Sequence, residues 1–139
     1  MNREILFRGK RVDNGEWVEG FYCPRPYSHF PCEPSIFPIA TIDKEWYGIE
    51  VILETVGQFT GLTDKNGVKI FEGDIVTVEN PNISDDEYGI VKFDNDGAMF
   101  IVEFDTFTVD FGNNIDGNQC EIIGNIFDNP ELLKGEEND

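Results

Sequence analysis

The chain is poor in helix formers: its 139 residues include two alanines and five leucines. These side chains lose little on entering a helix, so their scarcity argues against a helical fold. The only histidine, His29, has no serine or cysteine elbow of the Gly-x-Ser-x-Gly kind to serve. Cations are scarce too. Ten lysines and arginines face 28 aspartates and glutamates, which gives a net charge of −18 and a pI near 4.1. Such a charge repels nucleic-acid phosphates and anionic membrane surfaces alike. No apolar run approaches the roughly 18 residues of a membrane span. Met1 is followed by Asn2, Arg3 and Glu4, and the apolar run Ile5 to Phe7 is too short for a signal peptide. Cys23, Cys32 and Cys120 are odd in number and cannot all pair within one chain. Both features predict a cytoplasmic location, where thiols stay reduced and the Asn82-Ile83-Ser84 sequon has no meaning.

What the chain has in quantity is branched and aromatic: 15 isoleucines, 10 valines and 12 phenylalanines. Branched side chains pack well on a pleated surface, and 14 glycines, 7 prolines and 12 asparagines supply turns between short strands. The expected fold class is mostly β, with short antiparallel strands. At this length a domain buries roughly two-thirds of its unfolded surface and needs no disulfide or metal to fold. We therefore expect a single domain, 1–139. Its parts are an N-terminal hairpin with a proline-rich loop (1–56), a barrel-like part (57–133) and an acidic tail (134–139).

Turn signals set the order of elements. Asp13-Asn14-Gly15 separates Glu4–Phe7 from Glu16–Tyr22 as an opening hairpin. Pro24, Pro26, Pro31, Pro34 and Pro38 exclude a helix or a central strand between Cys23 and Pro38. Ile49–Val56 suits a strand or a short helix equally. Asp64-Lys65-Asn66-Gly67 is a tight turn before Lys69–Phe71 and Asp74–Glu79. Asn95-Asp96-Gly97 joins Tyr88–Asp94 to Ala98–Phe104, with Val91 and Phe93 on one face and Phe100, Val102 and Phe104 on one face. A last strand runs from Cys120 to Ile126, and Asn129–Leu133 starts at most one helical turn. The strands between Ile70 and Ile126 suit closure into a small barrel.

Groupings that could carry chemistry are weak. Cys23, His29 and Cys32 match no zinc spacing, and no fourth ligand lies nearby. Asp94, Asp96, Gly97 and Glu103 fit part of a calcium loop, but Lys92 stands where its first carboxylate belongs and the flanks alternate as strands. Gly57, Gly61 and Gly67 form no phosphate loop. We expect no catalytic, metal or cofactor-binding residue, although carboxylate pairs among so many acids leave an enzyme as one alternative. Residues 1–11 hold Arg3, Arg8, Lys10 and Arg11 against Glu4, a net of +3, while the rest of the chain stands at −21. This basic strand is expected to dock on its own acidic body. Asp85-Asp86-Glu87 reads as a solvated loop. Trp17 alternates with Val18 and reads as core, whereas Trp46 and Tyr47, beside loop signals, are the candidate partner surface.

The stretch Gln58–Val76, QFTGLTDKNGVKIFEGDIV, resembles the YopX family of phage and prophage proteins. Arg3–Gly9 (REILFRG), the hairpin GIVKFDNDGAMF and Glu121–Leu133 (EIIGNIFDNPELL) support the resemblance in the same order, and together these segments cover about half the chain. The resemblance implies a mostly β fold with a small SH3-like barrel in the C-terminal half, self-association, and no assigned activity. Its motif residues also have structural readings. Gly61 and Gly67 suit positive backbone angles, and Asp74 suits a turn cap before Ile75.

The function expected from sequence is a non-enzymatic interaction or assembly module of a phage or prophage, cytoplasmic and homo-oligomeric, with a host protein as a candidate partner. Few lysines blunt the strand edges, only Lys69 and Lys92 in the clearest strands. A DNA mimic that inhibits a host DNA-binding protein is the other alternative, since the acidic body could imitate phosphate charge. Direct binding to nucleic acid is not expected. Beyond residue 11 the cations Arg25, Lys44, Lys65, Lys69, Lys92 and Lys134 are scattered and do not interleave with aromatics. An anisotropy titration with duplex or single-stranded DNA at about 20 mM salt, where screening is weak, should show no saturable binding. Low-micromolar binding lost on replacing Arg8, Lys10 and Arg11 would refute this.

Overall fold

The computed structural model describes residues 5–23, 34–38 and 48–133. Among them are strands, turns and short 3-10 turns, with no α-helix, as the excess of Ile and Val over Ala and Leu predicted. No helix among the described residues is long and apolar enough to cross a membrane. Among the described residues eleven strands form two antiparallel sheets: β1 (Phe7–Lys10), β2 (Trp17–Cys23), β3 (Ser35–Pro38), β4 (Ile49–Glu50), β5 (Gly57–Thr63), β6 (Lys69–Phe71), β7 (Asp74–Val78), β8 (Gly89–Asp94), β9 (Met99–Glu103), β10 (Thr108–Asp110) and β11 (Cys120–Asn125). The chain divides into two compact units, Met1–Phe59 and Thr60–Asp139, with the division falling inside β5.

In the first unit the strand order is β4-β3-β2-β1-β5. The opening hairpin forms as expected around Asp13-Asn14-Gly15, but its first strand is Phe7–Lys10, so Lys10 lies opposite Trp17. The exclusion of a central strand before Pro38 fails. Ser35–Pro38 lies between β2 and β4, because Pro34 precedes the strand and Pro38 ends it, so neither interrupts it. Ile49–Val56 resolves its ambiguity by being both: Ile49 and Glu50 pair with β3, and Leu53–Thr55 is a 3-10 turn. The Thr55 hydroxyl fastens that turn. It donates to the Ile52 carbonyl at 2.6 Å and accepts from the Lys10 amide at 2.9 Å.

In the second unit the rest of β5 bonds with β6, and the five-stranded sheet runs β10-β9-β8-β7-β11. Its core is Ile70, Val76, Val78, Ile83, Val91, Val102, Phe104, Ile115 and Cys120, all buried. The expected small SH3-like barrel is not found: the order is linear, and the strands close no ring among the described residues. The β8–β9 hairpin has the expected faces, with Val91 opposite Val102 and Phe93 opposite Phe100. Val91 is fully buried, whereas Phe93, two residues nearer the tip, is 40 % exposed and meets Phe100 edge-on at 5.0 Å. The alternation is right, but the hairpin extends past the core that its face addresses.

The turn of that hairpin differs from the expected Asn95-Asp96-Gly97. Ala98 belongs to it and holds φ at +54°, while Gly97 is not in the left-handed region. A Cβ at positive φ crowds the backbone by about 1 kcal/mol. The variant Ala98→Gly should therefore unfold at higher urea with a gain of about 1 kcal/mol; an unchanged or lower midpoint would refute the strain.

Candidate functional site

The signature stretch is best understood from its two buried carboxylates, Asp64 and Asp74, at 3 % and 2 % exposure. Burying a charge is costly unless hydrogen bonds satisfy it. One Asp64 oxygen accepts from the amides of Asn66 and Val68, both at 2.9 Å, and so shapes the tight turn whose Gly67 sits at φ +83°. The other accepts from the amide of Ile122 on β11 at 3.0 Å. Burial alone would raise the Asp64 pKa, but the Ile122, Val68 and Asn66 amides and the Lys65 charge outweigh it and hold the carboxyl below its ordinary value. Asp74 accepts from the Phe71 amide at 2.8 Å and caps the turn before β7, as the sequence suggested. Both carboxylates therefore bind the chain's own backbone. The motif is a folding device.

Other candidate residues fare differently. Trp46 and Tyr47, the expected partner surface, lie outside the described residues, as do His29 and Cys32. Trp17 is half-buried, not core: its ring lies under Arg8, 4.6 Å from guanidinium carbon to centroid, and 5.6 Å from the Lys10 ammonium. A cation over an aromatic face is favourable by about 0.5–1 kcal/mol at exposed sites. Arg11 pairs with Asp13 at 2.8 Å. These described cations of the basic strand thus meet residues of their own hairpin. In the calcium-like stretch, Lys92 and Glu103 form an ion pair at 2.5 Å across two strands. The Cys120 thiol is pushed up to about 12 by burial and by the nearby charges of Asp116 and Asp64, so it stays protonated at neutral pH.

The two edges of the five-stranded sheet are unlike. Along β11 the outward Ile122 amide goes to Asp64, the Cys120 carbonyl accepts from the Lys65 amide at 2.9 Å, and the Asn125 amide donates to the Asn129 side chain at 3.2 Å. The Lys65 ammonium also faces Glu79 and Glu121, at 3.4 and 3.6 Å, and their charges raise its pKa. That edge is closed. At the other side, β10 pairs with β9 through Val109 opposite Val102, so the amide and carbonyl of Thr108 point outward. Phe107 and Val109 face the core, and beside them a pocket of about 400 Å3 is lined by Asn80, Asn82, Asn114 and Ile83. The Asn114 amide donates to the Asp110 carboxylate at the end of the strand. This strand lies in residues 105–119, outside the segments that carry the family resemblance. The alternation of Phe107, Val109 and Phe111 was the available signal.

These features define a mostly β protein of two antiparallel sheets, with one closed and one open edge on the second. The chain belongs to the YopX protein family, whose model matches residues 6–134. It is similar to the crystal structure of protein EF1440 from Enterococcus faecalis, with 23 % identity and a TM-score of 0.51, over 95 % of this chain and 99 % of that one. At that identity the likeness speaks for the fold alone. No curated protein matches the chain.

Removing the Asp64 carboxylate should be costly. Asp64→Ala leaves three amides without their acceptor and should lose about 3 kcal/mol by urea unfolding at pH 7. Asp64→Asn keeps an amide oxygen for the turn and should lose about 1–2 kcal/mol. Because the folded pKa lies below the unfolded value near 3.8, the charge contributes fully above that pH and is lost as pH falls through the folded value. The gap between wild type and Asp64→Asn should thus narrow below about pH 4. A constant gap would show that the charge is not what matters.

Proposed function

We propose that the chain is a non-enzymatic, cytoplasmic interaction module that assembles with copies of itself through the outer edge of β10. The observation that carries this reading is the contrast between the β11 edge, whose Ile122 and Asn125 amides and Cys120 carbonyl are taken, and the β10 edge at Thr108, whose outward amide and carbonyl stand beside an Asp110 carbonyl that accepts from Asn114 and Ile115. Unpaired strand edges are templates for pairing with another chain. Antiparallel pairing of two β10 edges about Val109 sets each Thr108 against an Asp110, so the Asp110 amide meets the Thr108 carbonyl on both sides of the axis, while the Asp110 carbonyl and carboxylate keep their bonds to Asn114 and Ile115. Family membership supports a phage or prophage setting, in which a host protein is the further partner. The non-enzymatic reading draws on how Asp64, Asp74 and Cys120 are used: two carboxylates bind backbone amides, and the thiol is held protonated in the core.

Light scattering at micromolar concentration tests the assembly. We expect a mass that is a multiple of 15.8 kDa for the wild-type chain. Thr108→Pro removes an outward amide that β9 does not use, and a proline is tolerated at such an edge position. It should give the monomer mass with an unchanged circular-dichroism spectrum, while Thr108→Ala stays associated. A monomeric wild type, or an associated proline variant, removes the proposal.

A further inference from the structure

A groove of about 730 Å3 opens on the second unit between the turn at residues 84–88, the end of β9 and the 3-10 turn Pro130–Leu133. Its rim carries Asp86, Glu87, Glu103 and Asp105, and its apolar walls include Tyr88, Leu132 and Leu133. The turn is held in place by its own bonds. The Ser84 hydroxyl accepts from the Asp86 amide, the Glu87 carboxylate accepts from the Ser84 amide, both at 3.2 Å, and the Ser84 carbonyl accepts from the Glu87 amide at 3.0 Å. The acidic residues that the sequence presented as a solvated loop therefore stand at fixed places beside apolar side chains.

Glu103 is neutralised by Lys92, but Asp86, Glu87 and Asp105 have no ion pair among the described residues. Tyr88 and Leu133 are 38 % and 39 % exposed at the same groove, an apolar surface left in water. Among the described residues no three carboxyl, thiol or imidazole groups are gathered closely enough to hold a metal ion. A polyamine would meet the carboxylates and leave the apolar walls wet, and a nucleic acid would be repelled. We propose that this groove binds a basic peptide segment of a partner protein. Its lysines or arginines meet Asp86, Glu87 and Asp105, and an aliphatic or aromatic side chain seats against Leu132, Leu133 and Tyr88. Complementary charge brings the segment to the surface, and the apolar contact holds it there.

The probe is a short fluorescein-labelled peptide alternating lysine or arginine with leucine or phenylalanine, titrated by anisotropy into the full chain. We expect saturable binding that weakens roughly fivefold to tenfold in the double variant Asp86→Asn/Asp105→Asn and again in Leu133→Ser. Amide chemical-shift changes should gather at residues 86–90, 103–105 and 132–133. Three results overturn the proposal: no saturable binding, binding indifferent to Leu133→Ser, or shift changes gathered elsewhere. Displacement by spermine as effective as by unlabelled peptide would also overturn it, since charge alone would then account for the binding.

Discussion

The second unit depends on the Asp64 carboxylate. Its two oxygens do different things: one shapes the turn between β5 and β6, and the other takes the amide of Ile122, 58 residues further along the chain. A buried charge with too few donors would be a defect, and three amides supply them. The backbone bond from Lys65 to Cys120 lies beside it, and the Lys65 ammonium faces Glu79, just past the end of β7, and Glu121 on β11. Turn, strand and edge are thus fastened by two adjacent residues. The signature stretch therefore marks where a local hairpin is tied to a distant strand.

That tie also makes the sheet asymmetric. Asp64 and Lys65 occupy the outer side of β11 at its start, and Asn129 occupies it near its end, so the Ile122 and Asn125 amides and the Cys120 carbonyl are not offered to a further strand there. The linear order ends at β11, where those groups are taken. On the far side β10 is three residues long, and shortness is itself one way of blunting an edge. The open edge offers few backbone bonds, so side chains at Thr108 and Asp110 must decide what pairs with it.

Local features were legible in the sequence and distant ones were not. Asp13-Asn14-Gly15 and Asp64-Lys65-Asn66-Gly67 name turns because a turn is specified by its own residues. Gly97 misled by one position: the left-handed residue is Ala98, which turn chemistry does not favour. Prolines 34 and 38 looked prohibitive as a group, but each stands at an end of β3. Trp17 was read as core from its alternation. Alternation separates two faces of a strand without saying which is covered, and here Arg8 and Lys10 cover the ring. The reach from Asp64 to Ile122 leaves no periodic trace in either segment, so only the folded chain reveals it. The apolar groove stayed hidden for the same reason, because Asp86 and Leu133 are neighbours in space alone.

Charge sets opposite conditions for the two proposed surfaces. Two copies of a chain at −18 repel, and β10 pairing must form against that field. Repulsion between exposed charges fades beyond a screening length of about 8 Å at physiological salt, so added salt favours self-pairing. A basic segment at the acidic groove meets the reverse case: the same field draws it in, and the same salt weakens the attraction. One ionic-strength series therefore moves the two associations in opposite directions. The backbone bonds of the edge and the apolar wall of the groove remain when the field is screened. What survives at high salt at either surface is the contribution of shape and hydrogen bonding, separated from the charge that dominates this sequence.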